Sequence, residues 1–197
     1  MKDLSSLTYH LERPVYEYHQ YQGESNDCGP ISLAIAANAW LGENRFSGQV
    51  VARELNKPVF ELLPVPRLVI RRIPEWATFP WGIVHYLREQ AIPARWGAWG
   101  TINMLKNVLK KDLIPLVFVG QPLRWTEGKY HGWSHVKVLY AYTPGMGFLF
   151  VDPARRKPDH SDSWEGQGLW LQEEEEFLTR WKRVAGLFVV VGRSSSA

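Results

Sequence analysis

The chain has 197 residues, of which 45% are hydrophobic and 22% are charged, and its formal net charge is +3. These values are ordinary for a soluble globular protein, and no internal repeat or long linker divides the sequence. The single cysteine excludes an internal disulfide and a zinc knuckle, so we expect neither a metal nor a cofactor. We expect one domain over residues 1–197, with an N-terminal arm at 1–14 and a disordered tail at 193–197.

Charge and hydropathy also restrict partners and location. The basic runs at 71–72 and 155–157 are short and lack interleaved aromatic residues, which favours a solvated face over a nucleic-acid surface. No apolar stretch approaches the roughly 20 residues that span a bilayer, and residues 1–13 lack the hydrophobic segment of a signal peptide. The sequence predicts a cytoplasmic protein, or one exported without a signal, that binds neither nucleic acid nor membrane.

In chain order, the first predicted element is an extended segment over 8–21, where tyrosines alternate loosely. From Cys28 onward, apolar residues recur on one helical face, and Gly42 is a suitable end for that helix. Pro30 fits its first turn because the missing N–H costs nothing there. A second, short helix is predicted over 47–55.

The next region changes character. Prolines interrupt residues 59–80, which predicts an irregular segment, and amphipathic helices are predicted over 81–90 and 101–111. Three strand-like runs follow, at 114–119, 135–142 and 148–152.

Turn residues at 143–147 join the last two of these strands into a hairpin. A charged helix at 171–181 and an apolar strand at 187–191 complete the chain. Helices followed by an antiparallel sheet predict the α+β class.

The lone cysteine, Cys28, lies where the polar loop from Gln22 turns into the first predicted helix. A free cysteine can be a small buried hydrophobe. A helix N-terminus, however, offers free N–H groups and partial positive charge, which favour a thiolate. Cys28 is therefore the candidate nucleophile, and it would need a base, a group that orients the base, and donors for an oxyanion.

His135 is the candidate base, because it opens a predicted strand that would hold its ring on rigid backbone. His131 is the runner-up, but it lies in a glycine-rich approach to that strand. The remaining histidines lie in the N-terminal segment, an amphipathic helix or a polar loop: His10, His19, His85 and His160.

Asp152 ends the strand that follows His135 in the predicted hairpin, so its carboxylate can reach the imidazole N–H and fix one tautomer. By itself, an aspartate before Pro153 would be only a turn cap. Gln22 precedes Cys28 by six residues, and its side-chain NH2 would join the Cys28 N–H in holding an oxyanion. Alone, Gln22 would be an ordinary loop residue.

These residues resemble a family. Gln22 with Cys28-Gly29-Pro30, the run 134–142 around His135, and the run 151–153 around Asp152 are similar to the C39-type peptidases of the papain-like superfamily, which include double-glycine leader peptidases. Residues 177–181 also resemble the last helix of that family, and the similarity covers roughly residues 15–192.

The resemblance implies a papain-like fold, in which a helical half carrying Cys28 packs on an antiparallel sheet half carrying His135 and Asp152. It also implies the nucleophile, base and orienting-acid roles of these residues, with Gln22 as the oxyanion donor. The substrate would be a peptide or protein cleaved after a Gly-Gly motif.

Known relatives are domains of membrane exporters, and this sequence carries neither membrane spans nor an ATPase. We therefore expect a stand-alone bacterial processing enzyme or a secreted toxin-like effector, whose partners would include an inhibitor or immunity protein. Two alternatives stay open. The same triad could transfer the acyl group to an amine, as in a transamidase, or the chain could be a retired peptidase that only binds peptides.

Overall fold

The structure is a computed structural model that describes residues 7–62, 66–126, 129–158 and 163–193. Its helices are α1 (Cys28–Leu41), α2 (Gly48–Leu55), α3 (Pro80–Glu89), α4 (Ile102–Lys110), α5 (Trp164–Gln167) and α6 (Glu174–Lys182), with a 3-10 helix at Val15–Tyr18. Its strands are β1 (Tyr9–His10), β2 (Val59–Glu61), β3 (Arg67–Val69), β4 (Arg72–Ile73), β5 (Ala77–Thr78), β6 (Ala94–Gly97), β7 (Ile114–Thr126), β8 (Lys129–Thr143), β9 (Gly147–Val151), β10 (Trp170–Gln172) and β11 (Phe188–Val191).

The main sheet of the described residues has seven strands, all paired antiparallel. Six of them follow the order β10-β9-β8-β7-β11-β6, and β1 pairs with β8. Helix α1 packs against β8 and β7, and α6 packs against β7 and β9. This mixture of helices and an antiparallel sheet confirms the α+β class.

Helix α1 is buried from Gly29 to Ala39, and not on one face only as the sequence pattern indicated. The prediction of a single buried face is wrong because α2, the 3-10 helix and α3 cover the sides of α1 that the sheet leaves open. Its many alanines let these neighbours approach closely, and a helix that is apolar all round belongs in a core.

The hairpin β8–β9 is confirmed, with a turn between Thr143 and Gly147 that includes Gly145 at φ 79°. Strand β8 is longer than predicted. His135 therefore lies inside the strand, paired with Val119 of β7, rather than at its start. Strand pairing on β7 thus fixes the backbone of His135.

The segment 59–80 was expected to be irregular, and this prediction is wrong. It forms two antiparallel hairpins, β2–β3 and β4–β5. Its arginines Arg71 and Arg72 are each only 4% exposed, so the prediction of a solvated face is also wrong for this pair. Each guanidinium pairs with a less buried carboxylate, from Glu89 and Asp27 respectively, and such pairing permits the burial of a charge.

Helices α2, α3 and α4 confirm the predicted positions within two residues, and β11 does the same for the last strand. The predicted helix at 171–181 begins later, because residues 170–172 pair with β9 as strand β10. Strand β6, at the edge of the main sheet, had no sequence prediction. Most of the predicted tail, residues 194–197, lies outside the described residues.

Candidate active site

Cys28 is the first residue of α1, as the sequence predicted, and its side chain is half-buried against the core. Gly29 follows it at a point of close approach to β5. A Cβ atom at Gly29 would lie 2.5 Å from the Cβ of Thr78, so only glycine fits without a shift of one element. The start of α1 is therefore held directly against the β4–β5 hairpin.

His135 and Asp152 meet on the hairpin β8–β9. The Nε2–H of His135 donates to Oδ1 of Asp152 at 2.6 Å, and the backbone N–H of Ala154 donates to the same oxygen at 3.0 Å. The Cys28 thiol lies close enough to His135 to help raise the pKa of its ring. The structure thus brings together Cys28, His135 and Asp152, and it leaves Nδ1 of His135 for the thiol.

The site is strongly polarised. Burial lowers the pKa of His135, but hydrogen bonds and charge interactions with Asp152 and Cys28 outweigh that effect and raise the pKa to about 9. Burial raises the pKa of Asp152, yet the hydrogen bond and charge of His135 hold that pKa below its ordinary value. Both shifts favour an imidazolium paired with a carboxylate.

Lys137 is a charged neighbour that the sequence analysis missed. It is 8% exposed, its Nζ donates to Oε1 of Gln172 at 2.7 Å, and it lies 3.8 Å from Oδ2 of Asp152. A lysine inside an otherwise apolar strand was the available signal, because such a residue needs a buried partner. Lys137 is one further cause of the lowered pKa of Asp152.

His19 is a second residue that sequence reasoning set aside. Its Nε2–H donates to the backbone oxygen of Asp152 at 3.1 Å, and its ring packs near Trp170, with centroids 5.2 Å apart. Burial lowers the pKa of His19, which favours the neutral ring. His19 therefore contacts the backbone of the candidate acid, and not the thiol, as part of the support for Asp152.

Gln22 lies in the loop before Cys28, and its backbone N–H donates to the oxygen of Pro153 at 2.9 Å. Its side-chain NH2 donates to the oxygen of Ser25 at 3.0 Å. An amide NH2 carries two donors, so one remains for another acceptor. The oxyanion role of Gln22 stays a prediction.

The other histidines fall elsewhere. His85 lies between two carboxylates and is half-buried as expected, with Nε2 at 3.0 Å from Glu61, whereas Nδ1 lies 3.6 Å from Glu89 and makes no hydrogen bond among the described residues. His10 lies on β1, paired with Ala141. The side chain of His131 and the whole of His160 lie outside the described residues.

A groove of about 850 Å³ runs between the β2–β3 hairpin, α3 and β6. Its walls include Leu68, Ile70, Trp81 and Trp96, each at least 42% exposed. None of Gln22, Cys28, His135 and Asp152 lines it. A second, polar cavity of about 670 Å³ is lined by the loop before Cys28, including Asp27, and by α2 and the β4–β5 hairpin.

Two further observations concern metal ligands and membrane-spanning helices. Across the described ranges, no group of three histidine, cysteine, aspartate or glutamate side chains is placed to hold a metal ion. No helix among those residues is both long and apolar enough to cross a membrane.

Comparison with known proteins adds information on the fold alone. Neither a family model nor a curated protein matches the sequence. Among solved structures, the chain is similar to a protein from Bacillus anthracis that is named, provisionally, a C39-like peptidase. The TM-score is 0.63 at 14% sequence identity, and the match covers 90% of this chain and 95% of that one. The chain therefore has the fold of a C39-like peptidase.

Proposed function

We propose that the chain is a cysteine peptidase that hydrolyses a peptide bond through a thioester acyl-enzyme. The observation that carries the proposal is the ring of His135, which interacts with the Cys28 thiol and with the Asp152 carboxylate. A thiol, an imidazole and a carboxylate in series are the parts that nucleophilic acyl transfer requires. The likeness in fold to a C39-like peptidase agrees with this chemistry.

The pKa of His135, raised to about 9, means that the imidazole carries a proton at neutral pH. In the proposed site the Asp152 carboxylate stabilises this imidazolium, and the Cys28 sulfur reacts as its thiolate, which is the nucleophilic form of a cysteine. The thiolate attacks the substrate carbonyl carbon, and the carbonyl oxygen becomes an oxyanion. N–H groups at the start of α1 and the side chain of Gln22 would stabilise this oxyanion.

Collapse of this tetrahedral intermediate breaks the C–N bond, and the imidazolium gives its proton to the leaving amine. The acyl group remains on Cys28 as a thioester. Neutral His135 then takes a proton from water, which attacks the thioester, releases a carboxylic acid and restores the thiolate–imidazolium pair. Activity should fall above about pH 9, where the imidazolium that protonates the leaving amine is lost.

The substrate we propose is a peptide with glycine at the two positions before the scissile bond, as the resemblance to double-glycine leader peptidases implies. We also propose that the peptidase matures a peptide, or acts as an effector that an immunity protein inhibits. Neither nucleic acid nor membrane has a role in the proposed reaction.

The test uses the full chain and a set of fluorogenic peptides that carry Gly-Gly, Gly-Ala or Ala-Ala before the cleaved bond. We expect turnover of the Gly-Gly peptide, and loss of that turnover in Cys28→Ala. Because Cys28 is the sole thiol, iodoacetamide labelling read by mass spectrometry reports on it alone. Labelling in the folded protein should be faster at pH 7 than in the urea-unfolded chain.

Three outcomes would contradict the proposal. Full turnover in Cys28→Ala would exclude the thiol as the nucleophile. Products joined to an added amine in place of free acids would indicate a transamidase. Binding of the peptides without turnover, together with slow labelling of Cys28, would indicate a retired peptidase.

A further inference from the structure

Asp27 occupies the position just before α1, where a side chain normally accepts a hydrogen bond from the first helical N–H groups. In this structure Asp27 makes no such cap hydrogen bond. Its Oδ1 instead accepts a hydrogen bond from Nη2 of Arg72 on β4. The Asp27 carboxylate, which stands at the cap position, therefore binds Arg72 and leaves the helix start uncapped.

The first turn of α1 consequently keeps its donors free. The first hydrogen bond inside the helix runs from Ile31 N–H to the oxygen of Asp27, at 3.0 Å. Pro30 has no N–H. Within the described part of the chain, the N–H groups of Cys28 and Gly29 have no acceptor, and these two donors flank the thiol.

Arg72 is buried and makes several hydrogen bonds, so it can hold the loop before Cys28 in place. Its side chain is 2% exposed, and its Nη2 also donates to the oxygen of Asn26 at 3.4 Å, while Nη1 donates to Oδ1 of Asn56 at 3.3 Å. One buried cation therefore contacts two consecutive residues of the loop that leads into Cys28. A guanidinium suits this task because its donors are fixed in one plane.

We propose that Arg72 is a positioning residue of the peptidase site: by binding the Asp27 carboxylate, it keeps the Gly29 N–H, beside that of Cys28, open for the substrate oxyanion. It also balances a negative charge that lies one residue from the nucleophile. This inference rests on the proposed function. The charged groups that surround the thiol are then His135 and Asp152 from the sheet, and Asp27 with Arg72 from the helix side.

Without Arg72, the carboxylate of Asp27 is free to rotate onto the helix start, since aspartate is among the preferred N-cap residues. It would then occupy the Gly29 N–H, because a cap accepts from the second or third helical residue and the third is Pro30. Loss of one oxyanion donor typically lowers kcat by about 10²–10³-fold. The loss should appear in kcat with little change in KM, because the interaction forms in the transition state.

The test compares Arg72→Gln with Arg71→Gln. Arg71 is a matched control, because it is equally buried on the same hairpin but pairs with Glu89 of α3, at 2.7 Å, and not with Asp27. We expect Arg72→Gln to lower kcat by about 10-fold or more and to shift the alkylation of Cys28 to higher pH. Arg71→Gln should lower the melting temperature at least as much, yet leave both readouts near the wild type.

Second substitutions, at Asp27, separate the effect of its charge from the effect of its capping the helix. Arg72→Gln with Asp27→Ala removes both the charge and the cap, so kcat and the alkylation profile should both recover. Arg72→Gln with Asp27→Asn removes only the charge, because asparagine also caps helices. That variant should recover the alkylation profile but not kcat.

Failure of the Asp27→Ala double variant to recover either readout, with a melting temperature like that of Arg71→Gln, would overturn the proposal. If Arg72→Gln does not fold, Arg72→Met, which keeps an unbranched stem without the charge, takes its place; a kcat equal to the wild type in that variant would overturn the role. If no peptide is cleaved at all, the proposed function fails. The alkylation profiles then still decide whether Arg72 controls the environment of the thiol.

Discussion

The two sides of the candidate site are held by different forces. On the sheet side, Asp152 follows β9, whose Phe148 and Phe150 are buried against Phe177 of α6, with ring centroids 4.4 and 5.2 Å apart. On the helix side, the loop before Cys28 is fixed by hydrogen bonds and by the Asp27–Arg72 ion pair. The sheet side relies on apolar packing, whereas the helix side relies on charge and polar geometry.

This difference separates stability from reactivity. Apolar burial contributes free energy in proportion to area and is insensitive to direction. Hydrogen bonds and ion pairs contribute less net free energy but define where a donor or a charge lies. We therefore expect substitutions on the sheet side to change mainly the free energy of unfolding, and those on the helix side to change mainly kcat. Substitution of Asp152 should change both the free energy of unfolding and kcat.

The largest effect is expected from Asp152→Asn. The amide cannot stabilise the His135 imidazolium, so kcat/KM should fall by about 10²–10⁴-fold. The pKa of His135, about 9 in the folded protein, should move down towards its ordinary value of 6.5. Peptide turnover and denaturation curves at several pH values measure both changes.

The stability part of this prediction has a defined sign. His135 has a raised pKa when folded, so its contribution is complete below about pH 6.5 and is lost as the pH rises through about 9. Wild-type unfolding free energy should therefore fall across that window, and Asp152→Asn should fall much less. The same comparison in a Cys28→Ala background excludes titration of the thiol. Equal pH dependence in both proteins would contradict the pairing of His135 with Asp152.

Phe177→Ala tests the sheet side. Phe177 is 0% exposed, so its truncation should lower the unfolding free energy by about 3–5 kcal/mol. At temperatures well below melting, kcat should stay within about 3-fold of the wild type, since the polar contacts of the site are untouched. Leu171→Ala, on the exposed side of β10, is the control and should cost little. A large loss of kcat in folded Phe177→Ala would show that packing also sets the geometry of the site.

The smallest effect is expected from Lys137→Met. Lys137 helps to hold the pKa of Asp152 below its ordinary value. A carboxyl with a lowered pKa contributes stability above its unfolded pKa of about 3.9, and that stability is lost as the pH falls through the folded value. Without the lysine, this acid-side loss should begin at a higher pH. Lys182→Met, at an exposed position of α6, is the control and should leave the loss of unfolding free energy at low pH unchanged.

Much of the sheet side could be predicted from sequence. The glycines and proline at 143–147 indicate a hairpin, and the apolar runs on both sides indicate paired strands. This pairing is what brings Asp152 to His135. The start of the helix at Cys28 could be predicted equally well, because Pro30 and the apolar run that follows are local signals.

The strands of segment 59–80 could not be predicted, because strands of two or three residues are too short to show an alternation of apolar and polar residues. Arg71 and Arg72 looked solvent-exposed because their carboxylate partners lie 18 and 45 residues away in sequence. A buried charge can be recognised only once its partner is known, and the partner comes from tertiary packing. For the same reason His19 gave no sign of its contact with Asp152, and Lys137, whose place in an apolar strand indicates a buried partner, did not reveal which partner.

The loop before the thiol and the turn after the acid are joined directly. His19 and Gln22, on the approach to Cys28, both donate to backbone oxygens of the Asp152–Pro153 segment, at 3.1 and 2.9 Å. These two hydrogen bonds join the loop of the nucleophile to the segment that contains the acid. Breaking them would separate the acid from that loop. A substrate must therefore be accommodated while the acid and the loop of the nucleophile stay joined.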